Sequence, residues 1–278
     1  MGAPGVAVPL YAFSPCQDPR YPALAGGWVV GCGPDGLVDR ALSLADSGLV
    51  VLPEGGRTPA LAEAQVIFVT PGGTRLFQLG RPADQQPTGL ARYPQVTVAP
   101  PGFDGHHLAL LRADALMVGA PDDRGSHVWE AHPAGWYPPA VAWPWVAWVQ
   151  DAGEGDEDVY AVNTSRADAP IALAKGPEHQ RHVVASGAFL AWVEDARIVV
   201  LDTTTMDRHV IPARTGFSAP ISLWGRVVCW EERGKDDIDI VCSDGMRADG
   251  PGDQEAPSRW GPWLLYRSQG RVWLETAP

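Results

Sequence analysis

Arg181 to Thr205 reads RHVVASGAFLAWVEDARIVVLDTTT, and this stretch decides the architecture. It divides into three short strands, His182 to Ser186, Phe189 to Val193 and Arg197 to Asp202. Gly187-Ala188 and Glu194-Asp195-Ala196 are the turns between them. FLAWV and IVVL are continuous apolar runs, and in antiparallel strands an unbroken run means that both faces are covered. A lone hairpin of three strands cannot cover its own two faces. Further copies of the same unit are therefore expected on either side.

Those copies are present. Aligned on the second strand, they are Tyr21 to Cys32, Thr58 to Val69, Tyr93 to Leu111, Pro138 to Val149, His182 to Val193, Ala219 to Trp230 and Ala256 to Arg267. Pro22, Pro59, Pro94, Pro139, Pro220 and Pro257 recur at one position, with Val183 in the remaining copy, at intervals of 35–45 residues. A period near 40 with about four strands per copy is the signature of a β-propeller. The expected fold is all-β: a single domain over 1–278 forming a seven-bladed propeller of four-stranded antiparallel blades. A pair of β-sandwiches is the competing arrangement, but it does not require seven equal copies. The last copy ends on Arg271 to Ala277 without a fourth strand, while Gly5 to Phe13 is a spare strand at the start. Pairing the two would close the propeller and remove an exposed edge.

Composition agrees with many short strands: 12 Trp, 31 Gly and 27 Pro in 278 residues, with no sustained helical stripe. Ala41 to Ala45 and Ala60 to Ala64 have helical propensity but are too short to form helices alone. The formal net charge of −12 argues against a nucleic-acid partner, because phosphate contacts need a basic face. No apolar run is long enough to span a membrane. Lys is scarce beside Arg, and Ala, Gly and Pro are abundant, as in a high-GC bacterial genome.

Two stretches, Trp148 to Asn163 (WVQDAGEGDEDVYAVN) and Val227 to Asp244 (VVCWEERGKDDIDIVCSD), resemble the TolB-like propeller repeat. Its pattern is roughly Val-x-Trp-x-Asp, a polar turn, then Asp-Ile-Tyr. Asp158-Val159-Tyr160 keeps that pattern, and Asp237-Ile238-Asp239 keeps it in part. The resemblance implies a binding protein for peptides, proteins or sugars outside the cytoplasm, although fold does not fix function. A periplasmic or secreted home is the matching expectation.

Cys229 and Cys242 fall opposite each other on the second and third strands of one copy, and Cys16 and Cys32 flank the first strand of another. Both pairs are disulfide candidates, against the alternative of free buried thiols.

Equivalent positions of a repeat form rings. Two residues before the recurring proline stand Arg20, Arg57, Arg92, Tyr137, Arg181, Ser218 and Glu255, and one residue before it His182 stands in the fifth copy. The start of the innermost strand lies beside the channel, so these residues predict a mouth with a basic collar. Arg forks suit carboxylate, phosphate or sulfate, and Tyr rings suit sugars. The competing reading pairs each Arg with an acidic turn of its own or a neighbouring copy, such as Asp151, Glu194-Asp195 or Glu231-Glu232. Asp151 to Asp158 carries five acids without calcium-loop spacing and reads as a solvated turn. His106 with His107, and His127 with His132, face oppositely on a strand and make no metal cluster.

The expected function is a monomeric, non-enzymatic binding module without a cofactor, whose Arg/Tyr-lined mouth takes a small anionic or carbohydrate ligand. Two alternatives remain. One is a hydrolase or lyase acting on an acidic sugar or similar anion through Tyr137, His182 and Glu255. The other is a scaffold binding a partner protein.

Overall fold

In the computed structural model of the protein, the blade built from Trp148 and its neighbours shows why the apolar runs are unbroken. Ala147, Val149, Val159 and Ala161 pack on one side against Leu190, Trp192, Val199 and Leu201 of the following blade. Val146, Trp148 and Val162 point the other way, against Ala109, Leu111, Leu116 and Val118 of the preceding one. Strand alternation thus distributes one apolar run between two neighbours, and each interface is a core in its own right. The structure describes residues 7–14, 16, 21–35, 37–52, 57–70, 73–82, 86, 99–121, 126–135, 137–153, 155–166, 168–177, 179–213 and 221–276.

The first strand, β1 (Val8–Pro9), precedes the blades. Blade 1 is β2 (Ala23–Ala25), β3 (Trp28–Cys32), β4 (Val38–Ser43) and β5 (Leu49–Val51), and blade 2 is β6 (Arg57–Ala62), β7 (Gln65–Thr70) and β8 (Gly73–Gln78). Blade 3 is β9 (Gly102–Phe103), β10 (Leu108–Leu111), β11 (Ala115–Gly119) and β12 (His127–Glu130). Blade 4 is β13 (Ala140–Ala142), β14 (Trp145–Gly153), β15 (Asp156–Asn163) and β16 (Ile171–Ala174). Blade 5, the stretch quoted at the outset, is β17 (Gln180–Ser186), β18 (Phe189–Glu194), β19 (Arg197–Asp202) and β20 (Arg208–Pro212). Blade 6 is β21 (Ser222–Trp224), β22 (Val227–Arg233), β23 (Ile238–Cys242) and β24 (Arg247–Ala248), and blade 7 has β25 (Gln254–Trp260), β26 (Trp263–Ser268) and β27 (Arg271–Thr276).

Among the described residues these strands form six four-stranded sheets and one three-stranded sheet, β6–β8. All pairings are antiparallel, and the fold is a seven-bladed β-propeller. The two short segments of helical propensity fall mainly in β4 and β6, where tertiary pairing overrides local preference. No helix of the described residues is long and apolar enough to cross a membrane.

The chain divides into two compact units, Met1–Glu54 with Ala213–Pro278, and Gly55–Pro212. In the first unit β1 pairs with β27, with Val8 opposite Leu274 and Pro9 opposite Trp273, and supplies the fourth strand of blade 7. Leu10 N donates to Val272 O at 2.8 Å, and Phe13 joins Leu24, Val29, Leu265, Val272 and Leu274 in one core. The spare N-terminal strand therefore completes the last blade. Serine hydroxyls stitch consecutive blades: Ser222 Oγ accepts from Arg259 N at 2.7 Å, and Ser258 Oγ accepts from Leu24 N at 2.8 Å. Cys229 and Cys242 face each other across β22–β23 and are disulfide-bonded, as are Cys16 and Cys32.

The second unit carries blades 2 to 5 around three successive interfaces, the first built on Ile67, Leu108 and Leu110. Gly102 marks how closely two of its blades approach. A Cβ added there would lie 2.0 Å from the Pro139 carbonyl oxygen.

Candidate functional site

The recurring proline has a structural cause. The pairing of the first two strands shifts register between Arg57 and Ala60 in blade 2, between Arg181 and Val184 in blade 5, and between Glu255 and Ser258 in blade 7. Each shift is a β-bulge, where an extra residue leaves the ladder, so a proline without an N–H costs no ladder hydrogen bond. The bulged residue bends backward: His182 and Ala256, one position before Val183 and Pro257, both have φ of 55°. Because Ala256 shares the conformation, the strain belongs to the repeat and not to His182 chemistry.

In blade 5 this bulge presents Arg181 and His182 together at the start of β17. Arg181 Nε lies 3.2 Å from Glu157 Oε2, at the beginning of β15 in blade 4. Tyr137 comes from the segment leading into β13 of the same blade, and its ring meets His182 edge-on, with centroids 5.1 Å apart and planes at 83°. Two adjacent blades thus bring a phenol, an imidazole, a guanidinium and a carboxylate together. All four residues are half-buried, with about a third (34%) of the Arg181 side chain and 21% of the Glu157 side chain exposed.

Burial governs the ionisation of both rings. The His182 imidazole is driven down to about 4, chiefly by desolvation and secondarily by the Arg181 charge. Desolvation raises the Tyr137 phenol; the Glu157 carboxylate adds to this by charge and by hydrogen bonding, and Arg181 opposes it. At neutral pH the two rings are therefore uncharged. Neither is poised for proton transfer, which works best with a group titrating near the working pH.

Arg57 occupies the equivalent backbone position at the bulge of β6, while Arg20 and Arg92 lie outside the described residues. Glu255, the equivalent residue of blade 7, belongs to the other unit and pairs there with Arg267 at 3.2 Å. Arg267 also donates to Cys16 O at 3.1 Å. Beside it, Glu231 Oε1 of blade 6 accepts from Ala256 N at 2.8 Å, and burial raises its carboxyl.

The pairing reading holds at Arg181, whose partner Glu157 lies in the acidic Asp151–Asp158 turn of the preceding blade, while the acids named individually make other contacts. Asp151 Oδ1 accepts from Gly153 N in its own turn, Asp195 Oδ1 accepts from His179 N, and Glu194 binds Trp192 and Arg197. Arg181 instead takes Glu157, which sequence reading had merged into a solvated turn. Its clue is the long hairpin register that sets Asp151 opposite Glu157.

Register also explains the repeat's tryptophan. Trp148 Nε1 donates to Gln150 Oε1 at 3.1 Å, and Trp192 Nε1 donates to Glu194 Oε1 at 2.9 Å. Residues two apart share a strand face, so in blades 4 and 5 the residue two positions after the indole is held beside it as acceptor. Asp158 lies opposite Gln150 and Asp239 opposite Glu232, so Asp239, not Asp237, is the counterpart of Asp158. The remaining histidines are dispersed. His107 stacks on Trp143 and pairs with Asp104 at 3.0 Å, while His132 lies 3.3 Å from Glu130. Among the described residues no group of three or more His, Cys, Asp or Glu is placed to hold a metal ion.

No protein-family model matches the sequence, and no curated protein matches it. Solved structures do. A chain of the mitotic checkpoint complex is similar with a TM-score of 0.68 at 11% identity, covering 99% of this chain and 94% of that one. The β-propeller domain of the trilobed protease from Pyrococcus furiosus, described as having an open velcro topology, is similar with a TM-score of 0.61 at 8% identity, covering 96% and 94%. An oligogalacturonate lyase in complex with manganese is similar with a TM-score of 0.55 at 16% identity, covering 99% and 91%. These likenesses establish the propeller fold, which serves binding proteins and enzymes alike.

Proposed function

We propose that this propeller is a non-enzymatic binding module, and that the start of β17 with the neighbouring edge of blade 4 holds a small carbohydrate or anionic ligand. The observation that carries the reading is the convergence of Tyr137, Glu157, Arg181 and His182 from two adjacent blades, half-buried and still reachable. Convergent polar groups beside an aromatic ring are the usual make-up of a sugar-binding subsite. The ionisation of the rings favours binding over catalysis, since neither titrates near neutral pH. The likeness to an oligogalacturonate lyase keeps a lyase or hydrolase as the alternative, with Tyr137 and His182 as its acid/base groups. Two disulfides suit an exported protein, and we place its work outside the cytoplasm.

The test is a glycan array followed by calorimetry on the intact protein, with Arg181→Ala and His182→Asn as variants. Binding without turnover in the parent, lost about tenfold or more in folded Arg181→Ala, supports the reading. Bond cleavage of any bound glycan replaces it with the enzyme. Unchanged binding in both variants removes the ligand from this site.

A further inference from the structure

The charges at the blade 4–blade 5 site are already balanced. Arg181 is the cation that acts on both His182 and Tyr137, and Glu157, 3.2 Å from its Nε, is the anion that acts on Tyr137. His182 contributes no charge at neutral pH, and neither does the Tyr137 phenol. The basic collar read from the sequence is therefore neutral where its side chains are described. An entering carboxylate or sulfate would meet a guanidinium that already has a carboxylate partner, and would have to displace Glu157 or sit beside a like charge.

We infer that this site selects an uncharged polyhydroxyl ligand, a neutral glycan, over an anion, and that Glu157 is the residue that enforces the choice. The inference rests on the binding reading above and narrows its ligand class. A neutral sugar needs no exchange of ion-pair partners. Its hydroxyls both donate and accept, which matches a site offering carboxylate acceptors, guanidinium donors and two rings able to do either. Its C–H face suits the electron-rich face of an aromatic ring, and Tyr137 brings such a ring to the site. The Arg181–Glu157 pair gains rigidity because each member comes from a different blade, so the donors and acceptors are held in place before the ligand arrives.

The chemistry gives Glu157 an unusual role: removing its charge should create anion binding. Glu157→Gln keeps the shape and one acceptor oxygen but releases the guanidinium. Calorimetry on the full chain at pH 7 and low salt would use three probes: the best neutral oligosaccharide from the array, trigalacturonate and inorganic sulfate. The parent protein is expected to bind the neutral oligosaccharide at least tenfold more tightly than trigalacturonate. Glu157→Gln is expected to gain at least tenfold for trigalacturonate and to bind sulfate, while the neutral probe, having lost a carboxylate acceptor, gains nothing. Glu157→Gln with Arg181→Gln is expected to lose that gain. Parent protein binding trigalacturonate as tightly as the neutral probe overturns the charge-balance inference and leaves the binding reading standing. The same holds if a folded Glu157→Gln shows no gain. Should Glu157→Gln fail to fold, the parent comparison decides the matter. Binding of no probe by parent or variant, or binding indifferent to Arg181→Ala, overturns the underlying site as well.

Discussion

Trp192 and Trp230 stand at the same place in their blades but differ in partners. The Trp192 indole donates to the buried Glu194 carboxylate at 2.9 Å, whereas Trp230 Nε1 is buried without a hydrogen-bond partner among the described residues. Removing one partner of a buried charged hydrogen bond costs about 1–3 kcal/mol, while removing an orphaned donor costs little beyond packing. Trp192→Phe should therefore destabilise the protein by about 1 kcal/mol or more beyond Trp230→Phe. Urea unfolding of the two variants measures the difference; equal losses would mean that the indole bond contributes nothing. His182 gives a pH signature. Its folded value of about 4 lies below the ordinary value of 6.5, so the unfolded chain binds the extra proton first. The stabilisation from keeping this ring neutral is complete above pH 6.5 and is lost as pH falls to about 4, on the order of 3 kcal/mol in all. His182→Asn, a residue that tolerates positive φ, should remove that part of the slope in melts between pH 4 and 7.

Between blades, the repeat depends on spacing that one atom can upset. Gly102 in β9 faces the Pro139 carbonyl oxygen so closely that a methyl group would lie 2.0 Å away, against backbone that cannot swing aside. Gly102→Ala should cost about 3 kcal/mol or more, since blade 4 must shift to admit it. Gly187, in the turn between β17 and β18, offers a contrast: a Cβ there meets nothing within 4 Å, so its positive φ of 57° alone sets the cost of Gly187→Ala, about 1 kcal/mol. A thermal-shift comparison separates the two; similar losses would show that blades 3 and 4 have slack at their contact. The elements also show what a single sequence reveals. FLAWV and IVVL disclosed two covered faces because strand alternation leaves no polar side to either, and the recurring proline disclosed the register of the copies. The same proline concealed the bulge, since a two-for-one offset in pairing leaves no mark in residue type when Val183 replaces it. Glu157 was missed for a related reason. Among five acids in one turn, only the pairing register distinguishes the one that reaches the next blade.

For the molecule as a whole, the seven copies were legible from their period, and the completion of blade 7 by β1 followed from counting strands at the two ends. The charge balance of the candidate site was not legible, because its four groups lie between positions 137 and 182 and meet only when two blades pack together. Deletion of residues 1–13 removes β1 together with Leu10 and Phe13 from the core they share with Leu265, Val272 and Leu274. Loss of the buried Phe13 alone is worth about 3 kcal/mol, so the truncated protein should melt at least ~6 °C lower than the intact one. An unchanged melting temperature would make β1 dispensable. The same pairing bears on how the chain is made. β1 precedes every blade in the chain and β27 belongs to the last of them, so their ladder closes a loop spanning all the intervening blades. Closure over such a distance is slow, and until β27 has been made the edge of β1 stays open to neighbouring chains. A second copy at high concentration then offers the edge of β1 the partner strand that its own chain has yet to deliver.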